Sequence, residues 1–125
     1  MIKLLSLLTR KPHLTHAQFV HHWLTIHGPL ALAVPGVRRY VQSHITDTRS
    51  RPDIADTEVE IDGFAELWYD DMAGFERAAA TPEMKTLTDD GALFIGRIKT
   101  YVIDERQIIP PLVTPPSPTP PPGPG

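Results

Sequence analysis

Histidine offers the clearest starting point for chemistry in this sequence, because its side chain titrates near neutral pH without perturbation. All six histidines lie within the first 46 residues. Four of them fall on one predicted helix, at positions 16, 21, 22 and 27. Two metal ligands on one helical face need a spacing of three or four residues, and no pair among these four has it. We therefore predict no metal site on this helix, and a site assembled from distant segments stays open.

His27 differs from the other histidines of the helix. It follows Trp23 by one turn and Phe19 by two turns, on the apolar face, and it directly precedes Gly28-Pro29. An imidazole there faces the space between helix and sheet, where burial lowers its pKa and keeps it a competent base. The alternative is a core histidine bonded to a backbone carbonyl.

Two further polar side chains attract attention on predicted strands. Glu66 lies between Phe64 and Trp68 on one strand face. A carboxylate between two aromatic rings lies either at a solvated edge or in a pocket that raises its pKa, and both interpretations stay open. Tyr40 shares its strand face with polar residues: Arg38, Gln42 and His44.

The other recognisable kinds of catalytic motif are missing from the sequence. It contains no nucleophile elbow, no phosphate-binding loop and no G-x-G-x-x-G. It also has no cysteine, which excludes disulfides, Cys-ligated metal sites and thiol nucleophiles. These absences leave the sequence without a motif for a phosphate-bearing or dinucleotide cofactor.

The charges are distributed unevenly along the chain. Residues 1–46 contain five Lys or Arg and no acid, whereas residues 47–109 hold all 15 acids and seven bases, and the net charge is -3. The bases are scattered, so we interpret the halves as compensating within one fold and expect no nucleic-acid partner. No apolar run approaches the roughly 18 residues of a membrane span. We expect a cytoplasmic protein without a membrane partner.

The hydrophobic patterns predict an alternation of strands and helices. Thr15 and Gln18 form a capping box before the first helix, and Thr81-Pro82 breaks and restarts the second. The order predicts an α+β, ferredoxin-like βαββαβ protomer with a four-stranded antiparallel sheet and helices on one face. The predicted elements are strand 2–8, helix 16–27, strand 37–46, a long loop 47–61, strand 63–69, helical residues from Asp70 or Asp71, and strand 97–103.

The apolar strand residues exceed what two helices can cover. We therefore predict that the other sheet face pairs with a second copy, as a homodimer. The residues behind this expectation are Val37, Val41, Ile45, Ala65 and Leu67.

The C-terminal segment has a composition of its own. Residues 110–125 hold nine of the 14 prolines and no charge, which predicts an extended polyproline II or disordered tail after a domain at residues 1–109. Residues 115–118 and 118–121 match PxxP. A partner protein bound through this tail is the less favoured alternative.

Four segments taken together resemble the EthD family. They are MIKLLSLLTRKPHLTHAQFVHHWLTIHGPLA, VPGVRRYVQSH, GFAELWYDDMAGFERA and FIGRIKTYV, and they cover nearly all of residues 1–105. The resemblance implies a dimeric α/β barrel acting on small, cyclic, often aromatic molecules without a cofactor. The family includes dehydratase-like polyketide proteins and a methylmuconolactone methylisomerase. In the methylisomerase-like pattern, the positions of His27 and Tyr40 lie in the pocket and a cysteine precedes the tryptophan. Leu67 occupies that position here, which argues against that isomerase chemistry.

The leading hypothesis is a cofactor-independent enzyme that isomerises, dehydrates or cyclises a small hydrophobic cyclic metabolite. His27 would act as general acid/base, Tyr40 would hydrogen-bond a developing oxyanion, and Glu66 would orient His27 or serve as second acid. The rival hypothesis is a non-catalytic dimeric carrier that serves a partner oxygenase. In both, aromatic side chains form the binding walls: Phe19, Trp23, Phe64 and Trp68.

Overall fold

The fold is an open sheet with a helical layer on one face, and a computed structural model describes residues 1–112 of it. The predicted proline-rich tail at 110–125 therefore lies almost entirely outside the described residues. The elements are β1 (Ile2–Arg10), α1 (His16–His22), a π-helical turn (Trp23–His27), α2 (Gly28–Ala31), β2 (Arg39–His44), β3 (Gly63–Tyr69), α3 (Met72–Ala79), α4 (Pro82–Phe94) and β4 (Ile95–Ile103).

The four strands form one antiparallel sheet in the order β2-β3-β1-β4. The α+β, ferredoxin-like prediction is confirmed. The register places Ser6 of β1 opposite Ala65 of β3 and Thr100 of β4. Because side chains alternate along a strand, this register decides which residues face the helices.

The first helical segment runs without interruption from His16 to Ala31, beyond the predicted end at residue 27. Thr15 accepts from the Gln18 N–H, and the Gln18 side chain accepts from the Thr15 N–H, which confirms the capping box. Proline cannot donate and its ring clashes with the carbonyl four residues earlier. The chain accommodates Pro29 by widening one turn, so that Gly28 N–H bonds Trp23 O five residues back. Gly28-Pro29 thus follows a π turn and does not end the helix.

The second helical segment is broken where the sequence predicts. Asp71 caps α3 by accepting from Gly74 N–H at 2.7 Å, and Thr81 caps α4 by accepting from Met84 N–H at 3.2 Å. Near the end of α4, Leu93 is 64% exposed and Phe94 is buried. None of the helices within residues 1–112 has the length and apolar character needed to cross a bilayer.

Two apolar clusters fill the layer between the sheet and the helices. They meet near Tyr40 and Leu67, which pack against both. One cluster contains Leu4, Ala31, Val34, Tyr69, Ala78 and Leu87, and the other contains Leu8, Phe19, Trp23, Ala65 and Phe94.

The opposite face of the sheet has no helix over it among the described residues. Val41 lies on that face, as its pairing with Glu66 shows, whereas Ala65 and Leu67 face the helices. The apolar side chains of this open face include Leu5, Leu7, Val41, Phe64, Trp68, Tyr101 and Ile103.

Candidate functional site

A cavity of about 530 Å³ lies between the helices and the sheet. Its volume is in the range of small-molecule sites. Most of the lining is apolar, and His27 and Tyr40 supply polar groups to it. The remaining lining residues include Leu4, Ser6, Leu8, Trp23, Leu67, Tyr69, Phe75, Met84, Leu87, Gly91, Ile95, Ile98 and Thr100.

His27 reaches this cavity from the end of the π turn and is held by a carboxylate on α4. Its Nδ1 lies 2.8 Å from Asp90 Oδ2, and the side chains of His27 and Asp90 are 12% and 9% exposed. A carboxylate accepts at that distance, so Nδ1 carries the proton and Nε2 keeps its lone pair. The second carboxylate oxygen lies 3.1 Å from Nε2 of His22. Asp90 thus bridges two imidazoles.

The surroundings of His27 favour its neutral form. Burial lowers the pKa of the imidazole below its ordinary value, Asp90 opposes this through its hydrogen bond and charge, and the neighbouring His22 lowers the pKa further. The Phe94 ring packs edge-on at 5.0 Å. A neutral imidazole with a free Nε2 at an apolar cavity is equipped to accept a proton.

Tyr40 lies at the head of a hydrogen-bonded row along β2. The Gln42 amide nitrogen donates to the Tyr40 hydroxyl at 2.9 Å and to Trp23 O at 2.8 Å, and the Gln42 carbonyl is 2.8 Å from His44 Nε2. Burial raises the pKa of the Tyr40 phenol, and the Gln42 amide and the neighbouring Trp23 indole oppose this. Tyr40 therefore stays protonated at neutral pH and can donate.

Three other residues singled out by the sequence lie at or behind the cavity wall. Trp23 is fully buried and lines the cavity, and Leu67 lines it directly opposite Tyr40 in the β2–β3 register. Phe19 was expected to contact substrate, but its ring lies behind the wall, 5.5 Å from the Trp23 ring and 5.2 Å from that of Phe94. Its contribution is to hold Trp23 in place.

Glu66, Phe64 and Trp68 lie on the open face, opposite the cavity. The prediction that Glu66 orients His27 is therefore wrong, because strand alternation directs residues 64, 66 and 68 away from the helices. Glu66 instead accepts from Lys3 Nζ at 2.7 Å. Phe64 and Trp68 cannot form walls of this cavity, and the Trp68 ring contacts the cations of Lys3 and Arg39 at 5.2 and 4.6 Å.

The sequence analysis did not predict Asp90 as a site residue. It also did not predict that Gln42 donates to both Trp23 O and the Tyr40 hydroxyl. Asp90 lies three residues after Leu87 and four before Phe94, so it falls on the inward stripe of α4. An acid on an apolar stripe is the signal that could have identified it. In the part of the chain that the structure describes, no three His, Asp or Glu side chains converge as a metal site.

Comparison with known proteins gives the family and the fold that this chain resembles. The model of the EthD domain family matches residues 11–98. A 4-carboxymethyl-4-methylbutenolide mutase of Pseudomonas reinekei is 24% identical over 106 residues, which covers 84% of this chain and 98% of the mutase.

Solved structures show the same fold. An EthD family protein of Bacillus halodurans superposes with a TM-score of 0.67 at 27% identity, over 85% of this chain and 99% of that one. A dimeric protein with a ferredoxin-like fold from Bacteroides fragilis gives 0.58 at 10% identity, over 82% of this chain and 93% of that one. At that identity the second likeness concerns the fold alone.

Proposed function

The chain belongs to the EthD family, and from this premise we propose that it is a cofactor-independent enzyme acting by proton transfer on a small hydrophobic cyclic metabolite. The observation that carries the proposal is the geometry of His27. Its Nδ1 is bonded to buried Asp90 at 2.8 Å, and the ring lines an apolar cavity. This is the arrangement of a general base with its orienting carboxylate.

The proposed step is abstraction of a proton from a carbon next to a carbonyl group. The C–H bond breaks, its proton goes to His27 Nε2, and the electron pair moves into the C=C bond of an enolate. Asp90 stabilises the imidazolium, and the Tyr40 hydroxyl donates to the enolate oxygen. Return of the proton from His27 to a different carbon completes an isomerisation. Its transfer to a β-hydroxyl group, whose C–O bond breaks as water leaves, completes a dehydration.

The P. reinekei relative acts on a butenolide, as its name states. A butenolide is a cyclic unsaturated ester, and a saturated carbon next to its carbonyl, or conjugated with it through the C=C bond, carries acidic C–H bonds. A ligand of this class fits a cavity of about 530 Å³ that offers His27 as a base and the Tyr40 hydroxyl as a donor. We propose lactones and cyclic ketones as the substrate class.

Leu67 narrows the chemistry that this cavity supports. It lies beside Tyr40 on the cavity wall, where the methylisomerase-like pattern has a cysteine. An isobutyl group cannot form a covalent adduct, and the whole sequence contains no cysteine. The proposed reaction therefore proceeds by acid–base steps alone.

We also propose that two copies pair through the open face. Leu5, Leu7, Val41 and Phe64 are only half-buried there, and apolar side chains grouped on an uncovered sheet face are typical of an interaction surface. A solved neighbour of the same fold is described as dimeric. In this assembly each cavity stays on the helical side of its own sheet.

The test is exchange of the acidic protons of a probe ketone. The wild-type protein is incubated with 1-tetralone, a bicyclic aromatic ketone, in D₂O, and loss of the C2 proton signals is followed by NMR from pH 5 to 9. We expect catalysed exchange that falls by about 10² to 10⁴-fold in His27→Gln. The matched control is His13→Gln at an exposed histidine, which should exchange at the wild-type rate.

Two outcomes would contradict the proposal. Deuterium exchange at the wild-type rate in His27→Gln would show that His27 is not the base. Saturable binding of several cyclic ketones and lactones without exchange or turnover at any pH from 5 to 9 would favour the carrier function instead.

A further inference from the structure

The Gln42 side chain has every hydrogen-bonding group of its amide engaged. Its nitrogen donates one proton to Trp23 O at 2.8 Å and the other to the Tyr40 hydroxyl at 2.9 Å. A backbone carbonyl can only accept, so the contact with Trp23 O establishes which end of the amide is the NH₂ group. The amide oxygen then accepts from His44 Nε2 at 2.8 Å.

This arrangement determines the direction of the hydrogen bond that Tyr40 can make. The phenolic oxygen already accepts from Gln42, and the Trp23 indole lies beside it as a second N–H group. The Trp23 Nε1 is buried and finds no acceptor of its own within residues 1–112. Because the phenolic oxygen accepts from Gln42, Tyr40 still has its own O–H to donate, and residues 1–112 provide no acceptor for it.

The two hydrogen bonds from the Gln42 amide, to Trp23 O and to the Tyr40 hydroxyl, form what we call the Gln42 clamp. The π turn and Gly28 make this clamp possible. Gln42 reaches the helix backbone at Trp23 O, which also accepts from Gly28 N–H. A Cβ at position 28 would lie 3.3 Å from Gln42 Nε2, closer than most side-chain contacts allow. The small residue before Pro29 thus leaves room for the amide.

We propose that Gln42 is a positioning residue that fixes Tyr40 as a hydrogen-bond donor toward the cavity, so that the ligand must present an acceptor oxygen to it. This inference rests on the proposed function, because it concerns the same cavity. Its evidence is the chain of contacts from Trp23 O through Gln42 to the Tyr40 hydroxyl.

The clamp defines the ligand class more narrowly than the cavity alone. Tyr40 offers a proton, whereas His27 Nε2 offers a lone pair because its Nδ1 proton is bonded to Asp90. A matching ligand carries an acceptor oxygen and an acidic C–H in one small ring system. An enolisable ketone or lactone has both groups, whereas a hydrocarbon of the same shape has neither.

The experiment measures hydrogen bonding to the carbonyl oxygen directly. 1-Tetralone labelled with ¹³C at the carbonyl is bound to the full chain, and isotope-edited infrared spectra record its C=O stretch. In the wild type we expect the stretch to move to lower frequency than in water-free solvent, as donation to the oxygen requires. Tetralin, which lacks the oxygen, should bind at least tenfold more weakly.

Variants at Tyr40 and Gln42 distinguish loss of the donor itself from loss of the residue that orients it. Tyr40→Phe should abolish the frequency shift. Gln42→Glu should also abolish it, because a carboxylate accepts the Tyr40 proton and turns the hydroxyl away from the ligand. Gln42→Met, of similar size but without a donor, should reduce it. Thr100→Val is the control at another polar group of the lining, and the shift should persist there.

An unchanged shift in both Gln42 variants, or its loss in Thr100→Val, would overturn the inference. The proposed function is judged separately by deuterium exchange at C2. His27→Gln should lose exchange but keep the carbonyl shift, so a protein that shifts the carbonyl without exchanging protons would refute the proposed function alone. Exchange without any carbonyl shift in the wild type would refute the inference alone.

Discussion

Asp90 holds His27 at 2.8 Å although 63 residues separate them in the sequence. The carboxylate comes from α4 and the imidazole from the π turn, so the pair joins the two helical segments beside the cavity. The hydrogen bond fixes the proton on Nδ1 of His27 and leaves Nε2 free to accept a proton.

Replacing the Asp90 carboxylate by an amide of the same size should prevent His27 from acting as a base. In Asp90→Asn the amide can donate to Nδ1, which moves the ring proton to Nε2 and removes the free lone pair. We expect deuterium exchange of 1-tetralone to fall by about 10²-fold or more. The measurement is the exchange rate at pH 7. A rate within twofold of wild type would mean that Asp90 does not set the tautomer.

The second imidazole on Asp90 should control the pH range of activity. His27 must be neutral to act, and burial together with His22 lowers its pKa, against the effect of Asp90. Activity should therefore be full above the lowered pKa and should fall as the pH drops through it. In His22→Phe the pKa of His27 should rise, and the acidic limb of the pH–rate profile should move to higher pH.

The matched control for this shift is His21→Phe, at the exposed neighbouring histidine. Its profile should coincide with that of the wild type. An acidic limb that stays in place or moves to lower pH in His22→Phe would contradict the expected coupling. NMR titration of the His27 ring gives an independent reading of the same pKa.

Gly63 should be required for the packing of Trp23 on the sheet. A Cβ at this position would clash with Ser43 O and would lie 2.7 Å from Cζ3 of Trp23. The backbone of Ser43 cannot move aside without strain. We therefore expect Gly63→Ala to lower the free energy of unfolding by at least about 2 kcal/mol, measured by urea denaturation. Gly91→Ala on α4 is the control, because its Cβ meets only ordinary contacts at 3.4 and 3.6 Å. Equal stabilities of the two variants would be inconsistent with this packing.

The open face should mediate dimerisation. Sedimentation equilibrium at micromolar protein should give about twice the protomer mass of 13.9 kDa. Leu7→Glu places a charge in the middle of that face, opposite Phe64 and Lys99, and should yield a monomer. Leu24→Glu, at a leucine 56% exposed on the helical side, should remain dimeric. A monomeric wild type would refute the proposed pairing.

Local patterns were sufficient to predict the framework of this protein. The capping box at Thr15, the break at Thr81-Pro82 and the alternation of strands and helices each depend on residues a few positions apart. The apolar spacing of Trp23 and His27 likewise predicted that the imidazole would face inward. The helix continues past its predicted end at residue 27, because a widened turn relieves the clash of Pro29.

The sequence by itself thus determined the order of the elements, their caps and the inward position of His27. Tertiary structure alone decided which face of each strand met the helices, and that choice turned the polar row of β2 toward the cavity and Glu66 away from it. Alternation groups residues by face, but only strand pairing and helix packing select the covered face. The partnership of Asp90 with His27 has the same origin, since periodicity within one helix carries no information about the residue that another helix brings against it.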